Sequence, residues 1–115
     1  MADERADALL VVSSPLARVE RNFLAELELK HRLPAIFGSR WNVEAGGLMS
    51  YAADLDDLTR RAAVYIDRIL KGTKPADLPV EQASKYQLTI NLKTARAIGL
   101  TLPESFLVRA DEVIE

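Results

Sequence analysis

Apolar residues come along this chain in short blocks separated by polar turns. Ala8-Leu-Leu-Val-Val12 is a continuous apolar run that ends at Ser13-Ser14-Pro15. A short run without alternation predicts a strand buried on both faces. From Leu16 to Lys30 the residues Leu16, Val19, Phe23 and Leu27 fall at three- and four-residue steps, which predicts a helix with one apolar stripe. Leu33-Pro34 stops that helix, because the residue before proline avoids helical angles. Ala35-Ile-Phe37 is a second short buried strand, ended by Gly38-Ser39-Arg40. Strand, helix, strand at this spacing predicts a right-handed βαβ unit with parallel strands.

Val43-Glu-Ala-Gly-Gly47 is a turn-rich connector, and Leu48-Met-Ser-Tyr51 predicts a third short strand. Asp54 caps a second helix, with Asp57 at the capping-box position. Leu55, Leu58, Ala62, Tyr65, Ile66 and Ile69 make its predicted buried face, and Gly72 its left-handed end. Thr73 to Pro79 carries two prolines and predicts a loop. Tyr86-Gln-Leu-Thr-Ile90 alternates, which predicts a strand with one wet face. Asn91 then caps a short helix through Ile98, stopped by Gly99. Pro103 opens a last helical turn, and the acidic end from Ala110 to Glu115 either adds a brief strand or frays.

Length and composition narrow the function. The chain has 115 residues, 49% hydrophobic and 28% charged, which is one folded domain's worth. Its net charge is −2 with both signs interspersed, so a nucleic-acid surface has no electrostatic footprint. The absence of cysteine removes disulfides, thiolate zinc sites and cysteine nucleophiles. No apolar stretch approaches the ~20 residues of a membrane span, and the charged start followed by a short apolar run is no secretory signal. As written, the chain is expected to be soluble and cytoplasmic.

Candidate chemistry is sparse. His31, the only histidine, sits near a helix C-terminus, where a cation suits the dipole, and no catalytic partner is indicated. Asp54, Asp56 and Asp57 fit a capped helix start better than a metal loop, so no metal or cofactor is expected. Ser13 and Ser14 follow the first strand at its carboxyl end, where open α/β sheets place ligands. They either bind a polar ligand or cap the next helix. Ser39 and Arg40 follow the second strand at the same edge; Arg40 either grips a carboxylate with two prongs or is a solvated surface arginine. Trp41 either walls a pocket or packs.

Three stretches resemble the C-terminal part of an ABC-transporter substrate-binding protein with the type I periplasmic-binding-protein fold. One joins Ala6-Asp-Ala-Leu-Leu-Val-Val12 with His31-Arg-Leu-Pro-Ala-Ile-Phe-Gly-Ser39. Another runs from Val43-Glu-Ala-Gly-Gly-Leu-Met-Ser-Tyr51 into Leu58-Thr-Arg-Arg-Ala-Ala-Val-Tyr65 and Ile69-Leu-Lys-Gly72. The most specific pairs Lys74-Pro-Ala-Asp-Leu-Pro-Val-Glu81 with Ile90-Asn-Leu-Lys-Thr-Ala-Arg-Ala-Ile-Gly-Leu100. The resemblance covers nearly the whole chain and well under half of such a protein. It implies two α/β lobes with the solute in the cleft between them. It makes 1–47 a βαβ piece of the second lobe, 48–83 a crossover strand, helix and linker, and 84–115 a strand with terminal helices. Implied cleft contacts are Ser13, Ser14, Ser39, Arg40 and, at the crossover, Tyr51. At Ser14 the chain departs from relatives that carry an acid or amide there.

The expected fold is therefore α/β: a small parallel-sheet βαβ layer resembling the C-terminal lobe of a type I periplasmic binding protein, incomplete, in a single domain over 1–115. The expected function is non-enzymatic binding of a small polar solute, such as an amino acid or organic acid. The alternative is an autonomous α/β protein acting through self-association or partner binding. The resemblance implies an ABC permease as partner of a complete protein and a periplasmic location for the family. The uncovered face of helix 55–71 predicts a homodimer.

Overall fold

The structure is a computed structural model that describes residues 5–115. Its strands are β1 (Leu9–Val11), β2 (Ala35–Phe37), β3 (Met49–Ala53), β4 (Tyr86–Asn91) and β5 (Glu112–Ile114), in the sheet order β1-β2-β3-β4-β5. Its helices are α1 (Pro15–Val19), α2 (Arg21–His31), α3 (Arg40–Glu44), α4 (Leu55–Leu70), α5 (Leu92–Ala97) and α6 (Glu104–Leu107), with a 3-10 turn at Pro75–Asp77. The pairs β1–β2, β2–β3 and β4–β5 are parallel. Around β3 and β4, Asn91 N donates to Leu48 O and Asp54 N to Lys85 O. One number rises as the other falls, which marks an antiparallel pair. The result is the expected α/β class with a mostly parallel sheet.

The chain divides into two compact units, one of residues 1–52 with 87–115 and one of residues 53–86. In the first, Ala25, Ala35, Phe37, Val43, Leu48, Ile90, Ala95 and Ile98 are buried. Leu48, Ala95 and Ile98 form one cluster, against which Met49, Leu100 and Leu102 pack. Polar groups tie this core together. Asn91 Oδ1 accepts from Thr94 N and caps α5, while Thr94 Oγ1 donates to Gly46 O at 2.7 Å. Asp111 Oδ2 accepts from Leu88 N at 2.7 Å and anchors β5, so the acidic end forms a strand.

The second unit is α4 with its following strap. Asp54 Oδ1 caps the helix by accepting from Asp56 N and Asp57 N. Asp54 N donates to Lys85 O, and the Asp57 carboxylate faces Arg61 and Lys85. The strap crosses one side of the helix, where Tyr65 OH donates to Pro79 O and Arg61 pairs with Glu81 at 2.9 Å.

Several burial expectations are corrected. β1 is not buried on both faces: Leu10 is 74% exposed, because no described element covers that side of the edge strand. The helix expected over 16–30 breaks at Glu20, and the break resets its phase. Ala25 and Glu28 are buried, whereas Leu16, Val19 and Phe23 of the predicted stripe face solvent. The turn-rich connector after β2 begins with a helix instead, α3. Thr89, Ile90 and Asn91 of β4 are all buried rather than alternating wet and dry, so both faces of the strand are covered at that end. α4 buries none of its residues fully, and Ile66, expected in a core, is 58% exposed.

Candidate functional site

The candidate site forms where β1 and β2 end. Ser13-Ser14-Pro15 cannot extend the strand, and Ser14 adopts the extended backbone of a helix cap with its Oγ accepting from Ala17 N at 3.1 Å. Pro15 takes the first helical position, where its missing N–H costs nothing. Ser39 does the same after β2: its Oγ accepts from Trp41 N at 3.3 Å and starts α3. Gly38 lets the two loops touch, since a Cβ there would stand 2.9 Å from Ser13 Cβ and Ser13 N. Gly38 N also donates to Val11 O at 3.1 Å, closing the ladder between the strand ends.

Between these loops lies a recess of about 560 Å³, within the ordinary size of a small-molecule site. It is lined by Val11, Val12, Ser13, Ser14, Pro15, Ala17, Arg18, Val19, Gly38, Ser39, Trp41 and Asn42. The Arg18 guanidinium lies 3.8 Å from the centre of the Trp41 ring, a cation–π stack that forms one wall. Buried Asn42 holds the wall in place, its Nδ2 donating to Ala17 O at 3.0 Å and tying α3 to α1. Hydroxyls, one cation and apolar walls can hold a small polar molecule. They supply no paired acid and base and no activated nucleophile.

The structure brings Ser13, Ser14 and Ser39 together at this recess. Arg40 and Tyr51 do not line it. Arg40 Nε lies 2.6 Å from Glu44 Oε1 and its Nη2 3.2 Å from Glu112 Oε2. Tyr51 stands on β3 with 59% of its surface exposed. Sequence reasoning missed Arg18 and Asn42. The cap signal Ser14-Pro15 could have found the first, because it fixes the helix start and sets residue 18 one turn in, where Arg18 N bonds to Ser14 O.

The opposite end of the same strands is closed. Glu28 on α2 is 1% exposed, and its carboxylate accepts from Ala35 N at 3.1 Å and from Leu48 N at 3.1 and 3.2 Å. Burial pushes its carboxyl up to about 7, against the opposing pull of the two backbone N–H groups. Among the described residues no cluster of three or more metal-ligating side chains occurs, and no helix is long and apolar enough to cross a membrane.

The fold has relatives among known proteins. The family model described as ABC transporter substrate binding protein matches residues 2–114. A solved domain from Streptococcus pneumonia, in complex with L-Trp, is 33% identical with a TM-score of 0.87, over 98% of this chain and 38% of that one. A conserved domain protein from Vibrio cholerae is 25% identical with a TM-score of 0.86, over 96% of this chain and 37% of that one. A ligand-free, open substrate-binding protein with adhesive properties from Clostridium difficile shares the fold at 20% identity and a TM-score of 0.69, over 93% of this chain and 36% of that one. The chain thus spans little more than a third of the solved chains it matches. No curated protein matches it. The match over residues 2–114 establishes that the chain belongs to the ABC-transporter substrate-binding protein family, whose members bind solutes and are not enzymes.

Proposed function

We propose that this chain supplies solute contacts for an ABC transporter, holding a small polar organic molecule at the recess without changing it chemically. The observation that carries the reading is the recess where β1 and β2 end, walled by Ser13, Ser14, Ser39 and the Arg18–Trp41 stack. Parallel α/β sheets place ligands at that edge. Amino acids are the favoured class, because the relative at 33% identity was solved with L-Trp. On this reading the chain acts on the periplasmic side and hands its solute to a permease. Isothermal titration of the 115-residue chain with amino acids and small organic acids tests it. At least one solute should bind saturably, and Val12→Trp, which fills the recess from an exposed lining position, should abolish that binding. Saturable binding untouched by Val12→Trp, or no binding by any of these solutes, contradicts the reading.

A second reading, self-association as a homodimer, draws on α4. Leu55 at 51%, Ile66 at 58% and Leu70 at 82% exposure line one side of that helix. Such a stripe favours association. Light scattering at micromolar concentration should give twice the monomer mass, and a concentration-independent monomer would rule the dimer out.

A further inference from the structure

We infer that Arg18, stacked on Trp41, is the residue that selects a carboxylate-bearing solute at the recess. This rests on the solute-binding reading above and adds the group that sets its preference. Arg18 is the only ionisable side chain among the residues lining the recess. No carboxylate lines it, so the local charge favours an anion.

Geometry separates Arg18 from the other arginines nearby. A guanidinium that stacks through its face keeps its N–H groups in the plane, free to grip a carboxylate edge-on. The guanidinium carbon of Arg18 lies over the Trp41 ring, 3.8 Å from its centre. Arg40, the arginine that sequence reasoning favoured, already spends its N–H groups on Glu44 and Glu112. Arg21 donates its Nη1 to Arg18 O at 3.0 Å, which steadies the backbone of Arg18 rather than reaching a solute. Arg18 and Trp41 also border a second hollow, lined in addition by Arg21, Asn22, Glu44 and Ala45. The serine side of the pair is the one that offers hydroxyls, Ser13 and Ser39, beside the guanidinium.

Isothermal titration of the 115-residue chain with three probes tests this. L-tryptophan carries both carboxylate and amine, indole-3-propionate the carboxylate alone, and tryptamine the amine alone. The unaltered chain should bind the first two and discriminate against tryptamine. Arg18→Gln should weaken both carboxylate probes by roughly 10- to 100-fold, the scale of a lost charge-assisted hydrogen bond, and leave tryptamine unchanged. Arg18→Lys should recover part of the preference, and Arg40→Gln should change none of the three. Retained discrimination in Arg18→Gln overturns the inference while leaving the solute-binding reading intact. An equal loss for all three probes also overturns it, because the residue would then merely support the fold. If no probe binds the unaltered chain, the aromatic amino-acid form of the solute-binding reading falls, and this inference with it.

Discussion

The two ends of the same parallel strands are built in opposite ways. At the amino ends of β2 and β3, Glu28 is sealed from water and its oxygens are taken up by the N–H groups of Ala35 and Leu48. At the carboxyl ends of β1 and β2, hydroxyls and a guanidinium face an open recess. One end uses polar groups to fix the scaffold, and the other leaves them for a visitor. A polar residue's type therefore says little about its task until its partners are known. Glu28 and Ser39 both accept from backbone N–H groups, yet only Ser39 also borders the recess.

The comparison is broken most strongly by Glu28→Ala. Two buried N–H groups would lose their acceptor beside a new void, which should cost about 3–5 kcal/mol, read by urea denaturation. A pH series on the unaltered chain sharpens the same end. The folded carboxyl titrates near 7, above its ordinary 4.5, so the folded state keeps its proton over a range where the unfolded state has released it. The stabilisation is complete below about pH 4.5 and is lost as pH rises to about 7. The drop should be about 3 kcal/mol, because each pH unit between those two values is worth about 1.4 kcal/mol. Glu28→Gln should flatten that slope.

At the recess end the effects on stability should be smaller. Asn42→Ala removes the half-buried bond to Ala17 O and should cost about 1–3 kcal/mol. It should also release α1 from α3, seen as a change in the emission of Trp41, the only tryptophan. Smallest of all, Arg40→Gln removes ion pairs between half-exposed partners and should shift stability by no more than about 1 kcal/mol. A loss at Arg40 as large as that at Glu28 would erase the distinction between a fixed end and an open one.

Local signals in the sequence were legible where one residue decides the backbone. Ser14-Pro15, Asp54, Asn91, Gly72 and Gly99 mark helix ends that the structure has. The short apolar runs at Leu9–Val11 and Ala35–Phe37 are parallel strands, and the two loops that follow them meet. Burial was less legible, because it depends on what packs on an element rather than on the element's own period. Leu16, Val19 and Phe23 have a helical period and no cover, while Glu28 is charged and buried. The Arg18–Trp41 stack pairs residues from two helices, and no spacing along the chain announces it.

Nitrogen-15 chemical-shift mapping during titration with L-tryptophan tests the central claim most directly, because it reads both strand ends in one experiment. Shifts should saturate and concentrate at residues 11–19 and 38–42, while the amides of Ala35 and Leu48 stay put. Saturating shifts centred on the Glu28 end, or an amide spectrum that L-tryptophan leaves unchanged, would contradict the account.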